Sequence, residues 1–252
     1  QLADAVMTAV LGAAVRELVG RSAPFAVFAL GKYGTGEFIF DADLDVLFIS
    51  ETKAVAVRNK LEQVATRVVQ QLSAMSERGK LYDVDARLRP EGRNAPLVVD
   101  RRAYLAYLQS RASLWERQSL TRVRFVAGDK KLGAAVVKDV HAFVFESPLP
   151  GNWVQDIVAM RKKMEKRSRV SGSELIDLKL SPGGMVDVEF LAQMLQLRYG
   201  GSRADLRHAR TCDVLRAFSS LLTVEKAEAL MQTYQWYRKL ETLLRITLEE
   251  RG

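Results

Sequence analysis

Phe25-Ala-Val-Phe-Ala-Leu-Gly-Lys-Tyr-Gly-Thr-Gly-Glu37 and, a few residues on, Asp43-Leu-Asp-Val-Leu-Phe-Ile-Ser50 are the stretches on which the fold turns. The apolar run Phe25 to Leu30, entered through Ser22-Ala-Pro24 and left through glycine, reads as a buried strand. Gly31 to Glu37 carries glycine at 31, 34 and 36 and reads as a loop or turn whose backbone can approach a ligand closely. Leu44 to Ser50, apolar and rich in β-branched residues, reads as a second strand.

Working outward, Val57, Leu61, Val64, Val68 and Leu72 recur at helical spacing, so residues 54–76 form a helix. Tyr82-Asp-Val-Asp-Ala-Arg-Leu88 alternates with period two, placing Asp83, Asp85 and Arg87 on one face of a third strand. A helix precedes the first strand over residues 2–19. After Pro90 the pattern changes: residues 97–100 read as a short strand, and helices are expected over roughly 101–109, 113–124, 130–146, 151–169, 184–199, 209–221 and 223–250. The expected architecture is α+β: a small α/β unit over residues 1–127 and a helical bundle over 128–252. No repeat or low-complexity segment is visible.

Asp43 and Asp45 sit at the start of the second strand, where residues i and i+2 share a face. Two carboxylates held so close repel unless a cation or donor offsets them. Mg²⁺ suits that task, because it takes oxygen ligands octahedrally and shares them with substrate phosphates. Asp85, on the third strand, is placed to join them. Two carboxylates, a third nearby and a glycine-rich segment are the parts of metal-assisted phosphoryl or nucleotidyl transfer. Asp-x-Asp alone is a weak signal, common on surface strands and turns; its position after a strand–glycine segment strengthens it. The glycine run is no P-loop, since no Gly-Lys-Ser/Thr closes it, and no dinucleotide fingerprint, since no helix of the needed register follows.

The bulk properties agree. The chain has 252 residues, 48% hydrophobic, with six prolines, enough to bury a substantial core and too few prolines for a disordered chain. Its apolar runs are too short to span a bilayer, and residues 1–20 show no signal-peptide pattern, so no membrane association is expected. A chain opening on Gln rather than Met reads as a segment of a longer protein. The single cysteine, Cys212, excludes an internal disulfide and a cysteine zinc cluster and fits a reducing, cytoplasmic setting. A net charge of +8 favours an anionic partner such as a nucleotide. Much of that charge lies in Arg161 to Arg169, with six positive residues and one negative, read as a solvated helix face. The periodic aromatics of an RNA-binding sheet are missing, and no nucleic-acid partner is expected.

Taken in order, Leu30-Gly-Lys-Tyr-Gly-Thr-Gly-Glu37, Asp43-Leu-Asp45, Tyr82-Asp-Val-Asp-Ala-Arg-Leu-Arg-Pro90, Trp115-Glu-Arg-Gln-Ser-Leu-Thr-Arg-Val-Arg124 and Asp177-Leu-Lys-Leu-Ser-Pro-Gly-Gly-Met-Val-Asp-Val-Glu-Phe190 resemble bacterial glutamine synthetase adenylyltransferase. That family carries two nucleotidyltransferase domains of the polymerase-β-like fold. One adenylylates a tyrosine of glutamine synthetase from ATP; the other removes AMP by phosphorolysis. The resemblance implies Mg²⁺ on Asp43, Asp45 and Asp85 as catalytic ligands. It also implies nucleotide contacts from Gly31, Lys32, Gly34, Thr35, Gly36 and Arg87, glutamine synthetase as partner, and a PII-type signal protein acting through the parent chain. Residues 116–129 and Asp187-Val-Glu-Phe190 look more like the C-terminal, adenylylating domain, the preferred reading, although Arg238 to Leu244 has something of the N-terminal one. The alternatives are the removing domain and a non-catalytic nucleotide-sensing module. Tyr33, Thr35 and Asp41 depart from the family's common residues, and Thr35 is the departure that weighs most, because a β-branched residue resists positive φ.

The remaining polar residues have plainer readings beside functional ones. Arg87 could orient Asp85 or meet triphosphate, with a structural salt bridge as the alternative; Arg89 flanks the same strand end. Lys32 could touch phosphate or stand solvated. Glu116, Arg117, Arg122 and Arg124 are expected on one helix, with Glu116 and Arg124 near one face. Asp187 reads as a cap for the helix behind Gly183-Gly184, and Glu189 cannot share its face. Tyr234, Trp236 and Tyr237 read as bundle core and rim. His141 and His208 show no metal-ligand spacing.

Overall fold

The computed structural model describes residues 2–20, 23–39, 42–77, 79–168, 177–207 and 210–249. Elements run α1 (Leu2–Leu18), β1 (Phe25–Ala29), α2 (Gly31–Thr35), β2 (Leu44–Ser50), α3 (Val55–Ser73), β3 (Val84–Asp85), β4 (Val98–Asp100), α4 (Arg101–Ser110), α5 (Leu114–Ser119), β5 (Arg124–Gly128), α6 (Lys130–His141), α7 (Trp153–Ser168), α8 (Met185–Tyr199), α9 (Thr211–Ala217) and α10 (Val224–Glu249). They form two compact units, one of residues 1–112 and 122–143, the other of 113–121 and 144–252. The units interleave, where the sequence pattern suggests a single boundary after residue 127. The reason is β5: it pairs with β1, and α6 follows it onto the sheet.

The first unit is built on β2. Every residue of that strand except Asp45 is buried, as expected of a central strand covered on both faces. On one edge β1 pairs antiparallel, Phe25 opposite Ser50 through Ala29 opposite Val46, and β5 pairs antiparallel with β1 beyond it. The other edge carries two short parallel strands end to end: β3 at the start of β2 and β4 at its finish. Phe25, Val27, Leu44, Val46 and Phe48 join one core with Met7 and Leu11 of α1 and Leu61, Val64, Val68 and Leu72 of α3. By alternation, Asp43 and Asp45 belong with Leu47 and Ile49 to the opposite face. Glu62 of α3 accepts the backbone N–H groups of Leu97 and Val98 at 3.2 and 3.0 Å and so seats β4.

Three expectations are corrected. Residues 31–37 are not simply a loop: the first five form the short helix α2. The third strand shrinks to Val84–Asp85, because the Asp85 carboxylate accepts the N–H of Arg87 at 2.8 Å and turns the chain out of the ladder. The expected helix 113–124 is α5, a 3₁₀ turn at Leu120–Arg122 and then β5, since the free edge of β1 claims Arg124 to Gly128.

The second unit is helical. Met185, Val188, Leu215 and Tyr234 form a buried cluster drawn from α8, α9 and α10. Tyr234 is core and Trp236 is 59% exposed. Within Arg161–Arg169, Lys162, Lys163 and Lys166 are exposed, but Arg161 is buried. The side chains of residues 167–169 lie outside the described residues. Among those described, no helix is long and apolar enough to cross a membrane.

Candidate active site

The carboxylates that sequence places on separate strands are joined by register. Asp45 of β2 stands opposite Asp85 of β3 in parallel pairing, and residues in register on neighbouring strands, which lie about 5 Å apart, present their side chains on one face. Asp43, two residues before Asp45 and exposed, shares that face by alternation. The Asp45 carbonyl accepts the N–H of Leu30 at 2.9 Å, and the Asp83 carbonyl accepts that of Leu44 at 2.8 Å. The strand ends carrying all three acids are thus tied to the backbone around them.

The three glycines do three different things. At Gly31 (φ 52°) a Cβ would lie 2.0 Å from the Asp45 carboxylate, so glycine there lets the start of α2 close on the acid. At Gly34 a Cβ would lie 2.0 Å from the Arg122 carbonyl oxygen, a packing requirement. Gly36 (φ 65°) ends α2 in the left-handed conformation with open space around it. The doubt over Thr35 falls away: it is the last residue of α2 rather than a positive-φ position. Its buried hydroxyl donates to the Lys32 carbonyl at 3.0 Å and accepts the Glu37 N–H at 3.2 Å. Asp41 lies outside the described residues, as does His208.

The two arginines of Arg87-Leu-Arg89 take different partners. Arg87 grips Asp85, with Nε 2.9 and 2.7 Å from the carboxylate oxygens and Nη2 on Oδ2 as well. That hydrogen bonding and charge raise its proton affinity, with smaller contributions from Asp43 and Asp45, which places all three acids in its field. Arg89 is buried and donates to the carbonyls of Ala86 and Ala95, closing the loop between β3 and β4. Burial lowers its pKa against the opposing pull of Glu62 and Asp85.

A hard divalent cation suits these residues in kind: three carboxylates on one face, two in register, and a glycine where any side chain would block Asp45. The carboxylates are not gathered for it as they stand. Among the described residues no three acidic, histidine or cysteine side chains form a metal-holding group, and Asp85 is engaged by Arg87.

Other residues prove structural. Arg124 begins β5 rather than extending a helix with Glu116. It forks onto Asp4 at 3.0 and 3.1 Å and donates to the carbonyls of Tyr33 and Gly34, clamping α1 to α2. Burial raises the Asp4 pKa, but the hydrogen bonds and charge of Arg124 outweigh it and leave the carboxyl below its usual range. Glu116 closes a capping box with Ser113, accepting its N–H and hydroxyl at 2.8 and 2.7 Å. Ser-x-x-Glu is a sequence signature that could have revealed this. Arg117 is buried and donates to the carbonyls of Val144, Ser147 and Pro148. Asp187 accepts the N–H of Gly183 at 2.6 Å and pairs with Arg161, a role at the head of α8 close to the expected cap. Tyr234 donates to buried Glu189 at 3.2 Å.

Residues 1–139, more than half of the chain, match the family model described as Glutamate-ammonia ligase adenylyltransferase. The chain belongs to this family. Within the adenylyltransferase family, it is 38% identical over 96% of its length to a protein of Streptomyces avermitilis named bifunctional glutamine synthetase adenylyltransferase/adenylyl-removing enzyme. Proteins of the same name from Mycobacterium leprae and Mycobacterium bovis are 34% and 36% identical over 97% of the chain. The chain spans about a quarter of the length of these relatives, 25% of the Streptomyces protein and 24% of the mycobacterial ones. Residues 155–251 match a second family model, GlnD PII-uridylyltransferase.

Proposed function

We propose that this chain is a nucleotidyltransferase domain of the polymerase-β-like fold that transfers AMP from Mg²⁺-ATP to a tyrosine hydroxyl of glutamine synthetase. The observation that carries the reading is the parallel register of Asp45 with Asp85, in a chain whose relatives bear the name of that activity. Asp43, Asp45 and Asp85 would hold Mg²⁺, which when bound neutralises charge on the polyphosphate and the leaving pyrophosphate. Asp85 is the candidate for the base that takes the tyrosine proton or for a shared metal ligand, as the hydroxyl oxygen attacks the α-phosphorus in line. The new O–P bond forms as the bond to pyrophosphate breaks. Lys32, Arg87 and the ends of α2 at Gly31 and Gly36 would meet the polyphosphate, while buried Gly34 and Thr35 would act only by shaping that helix. Catalysis is then positioning and charge compensation.

The relatives' name covers both directions of AMP chemistry, so the removing reaction is the second reading, with phosphate attacking adenylyl-tyrosine and ADP leaving. We place the reaction in the cytoplasm. The match of residues 155–251 to a PII-uridylyltransferase model supports a PII-type signal protein as a partner of the parent chain. The test is incubation with unmodified glutamine synthetase and α-labelled ATP, with Asp43→Asn alongside. Label on the synthetase that the variant cannot add supports adenylylation. ADP released from adenylylated synthetase and phosphate supports removal; the absence of both products refutes both readings.

A further inference from the structure

Asp85 and Arg87 differ sharply in how firmly they are held. The Asp85 side chain is 13% exposed and fixed by strand pairing, whereas that of Arg87 is 57% exposed and meets its partner through the guanidinium. The contact uses both carboxylate oxygens, the Arg87 Nε and Nη2 and the Arg87 backbone N–H. A guanidinium fork fits phosphate oxygens as well as carboxylate oxygens, so the two ligands are interchangeable to it. Three carboxylates on one face repel one another, and in this arrangement the guanidinium supplies the compensating charge.

We propose that Arg87 is a partner-switching residue, holding Asp85 while no nucleotide is bound and moving its fork to the polyphosphate of an arriving nucleotide–cation complex, which uncovers Asp85 for the cation. The inference rests on the nucleotidyltransferase reading given above. It requires a divalent cation alone to compete with the guanidinium for Asp85, while a cation arriving with polyphosphate finds that competitor drawn away. Nucleotide and cation therefore enter together, and the acids are not loaded by cation alone. Arg89, two residues after Arg87, has no such freedom, because its donors are committed to the backbone carbonyls of Ala86 and Ala95.

The test is Mn²⁺ binding to this chain, by calorimetry and electron paramagnetic resonance, with and without a non-hydrolysable ATP analogue. Arg87→Met removes the fork and keeps the methylene bulk at an exposed position, and its melting curve checks the fold. The expected result is movement in opposite directions, Mn²⁺ alone binding about tenfold tighter and the analogue about tenfold weaker, the scale of one charge-assisted hydrogen bond. Adding Asp85→Asn is expected to cancel the gain in Mn²⁺ affinity. Arg87→Lys, which keeps the charge, is expected to lie between wild type and Arg87→Met for both ligands. Mn²⁺ affinity unchanged or lowered in Arg87→Met would overturn the exchange and make Arg87 a simple orienting partner of Asp85. A wild-type chain that binds neither the analogue nor Mn²⁺ with it would refute the nucleotidyltransferase reading, and the exchange with it.

Discussion

In the sheet-bearing unit the side chains proposed for chemistry stand at strand ends, with Asp43 exposed and Asp45 and Asp85 only partly covered. In the helical unit a set of polar groups lies inside: Arg117 is 5% exposed, Gln118 3% and Gln193 6%. There Gln118 donates to Gln193 at 2.8 Å, Tyr234 to Glu189, and Arg117 to backbone carbonyls. Charges left at an edge cost little solvation and remain available to ligands; charges taken inside must be met by fixed partners and then hold those partners in place. The first unit thus leaves the acids proposed for cation binding accessible, while the second uses its buried polar groups to hold its own chain.

Asp45→Asn offers the severest test of that division. It should lower AMP transfer by at least about 10³-fold, several kcal/mol of lost charge stabilisation, and leave the melting temperature close to wild type. Radiolabel transfer paired with a thermal melt measures both; a large melting shift would make Asp45 a structural acid. Arg117→Met should do the reverse. The buried carbonyls of Val144, Ser147 and Pro148 lose their donor, and urea unfolding followed by circular dichroism should show a loss of about 3 kcal/mol. An unchanged midpoint would mean that these carbonyls find other donors. Burial lowers the Arg117 pKa, the mark of a guanidinium taken out of water whose cost these carbonyls offset.

Gly31→Ala falls between the two kinds of change. Its Cβ would collide with the Asp45 carboxylate at a positive-φ position, costing about 2 kcal/mol of stability together with a clear drop in transfer. Nucleotide titration alongside chemical denaturation separates the two, and full activity would show that Asp45 need not stay where it is seen. Asp4→Asn should have the smallest effect. Because the folded-state pKa of Asp4 is depressed, its contribution is complete above the ordinary aspartate value and is lost as pH falls through the depressed one. Wild type should therefore lose stability below about pH 4 relative to the variant's flatter profile, by under about 1 kcal/mol for a pair only partly shielded from solvent. Parallel acid-side profiles would show that Arg124 gains nothing from the charge.

Much of this was legible in the chain, in proportion to how local the cause was. β1, β2 and α3 follow from apolar runs and helical spacing, and the family from ordered motifs. β5 was missed because Arg124-Phe-Val-Ala-Gly128 has no strand character of its own until the edge of β1 offers it partners. Helix α2 was missed because three glycines argue for a turn, while tertiary packing against Arg122 and Asp45 decides otherwise. Of the candidate site, alternation placed Asp43 beside Asp45. Alternation also put Arg87 on the face of Asp85, and the contact with that carboxylate is one the sequence offered; no local rule could pair Asp45 with Asp85, forty residues on. Nothing in the local pattern told Arg89 from Arg87; only the loop it closes does.

β3 has two residues, and two rungs are too few to fix a register unaided. A slip of one would turn Asp85 through the sheet to the apolar side. What prevents the slip lies elsewhere: the Tyr82 N–H on the Leu72 carbonyl, the Ser73 hydroxyl on the Tyr82 carbonyl, and Arg89 across the following loop. The alignment tolerance of the acids is therefore set at the tail of a helix and in a surface loop. Variation at Ser73 or Arg89 would act as a calibration error in a site that neither residue enters.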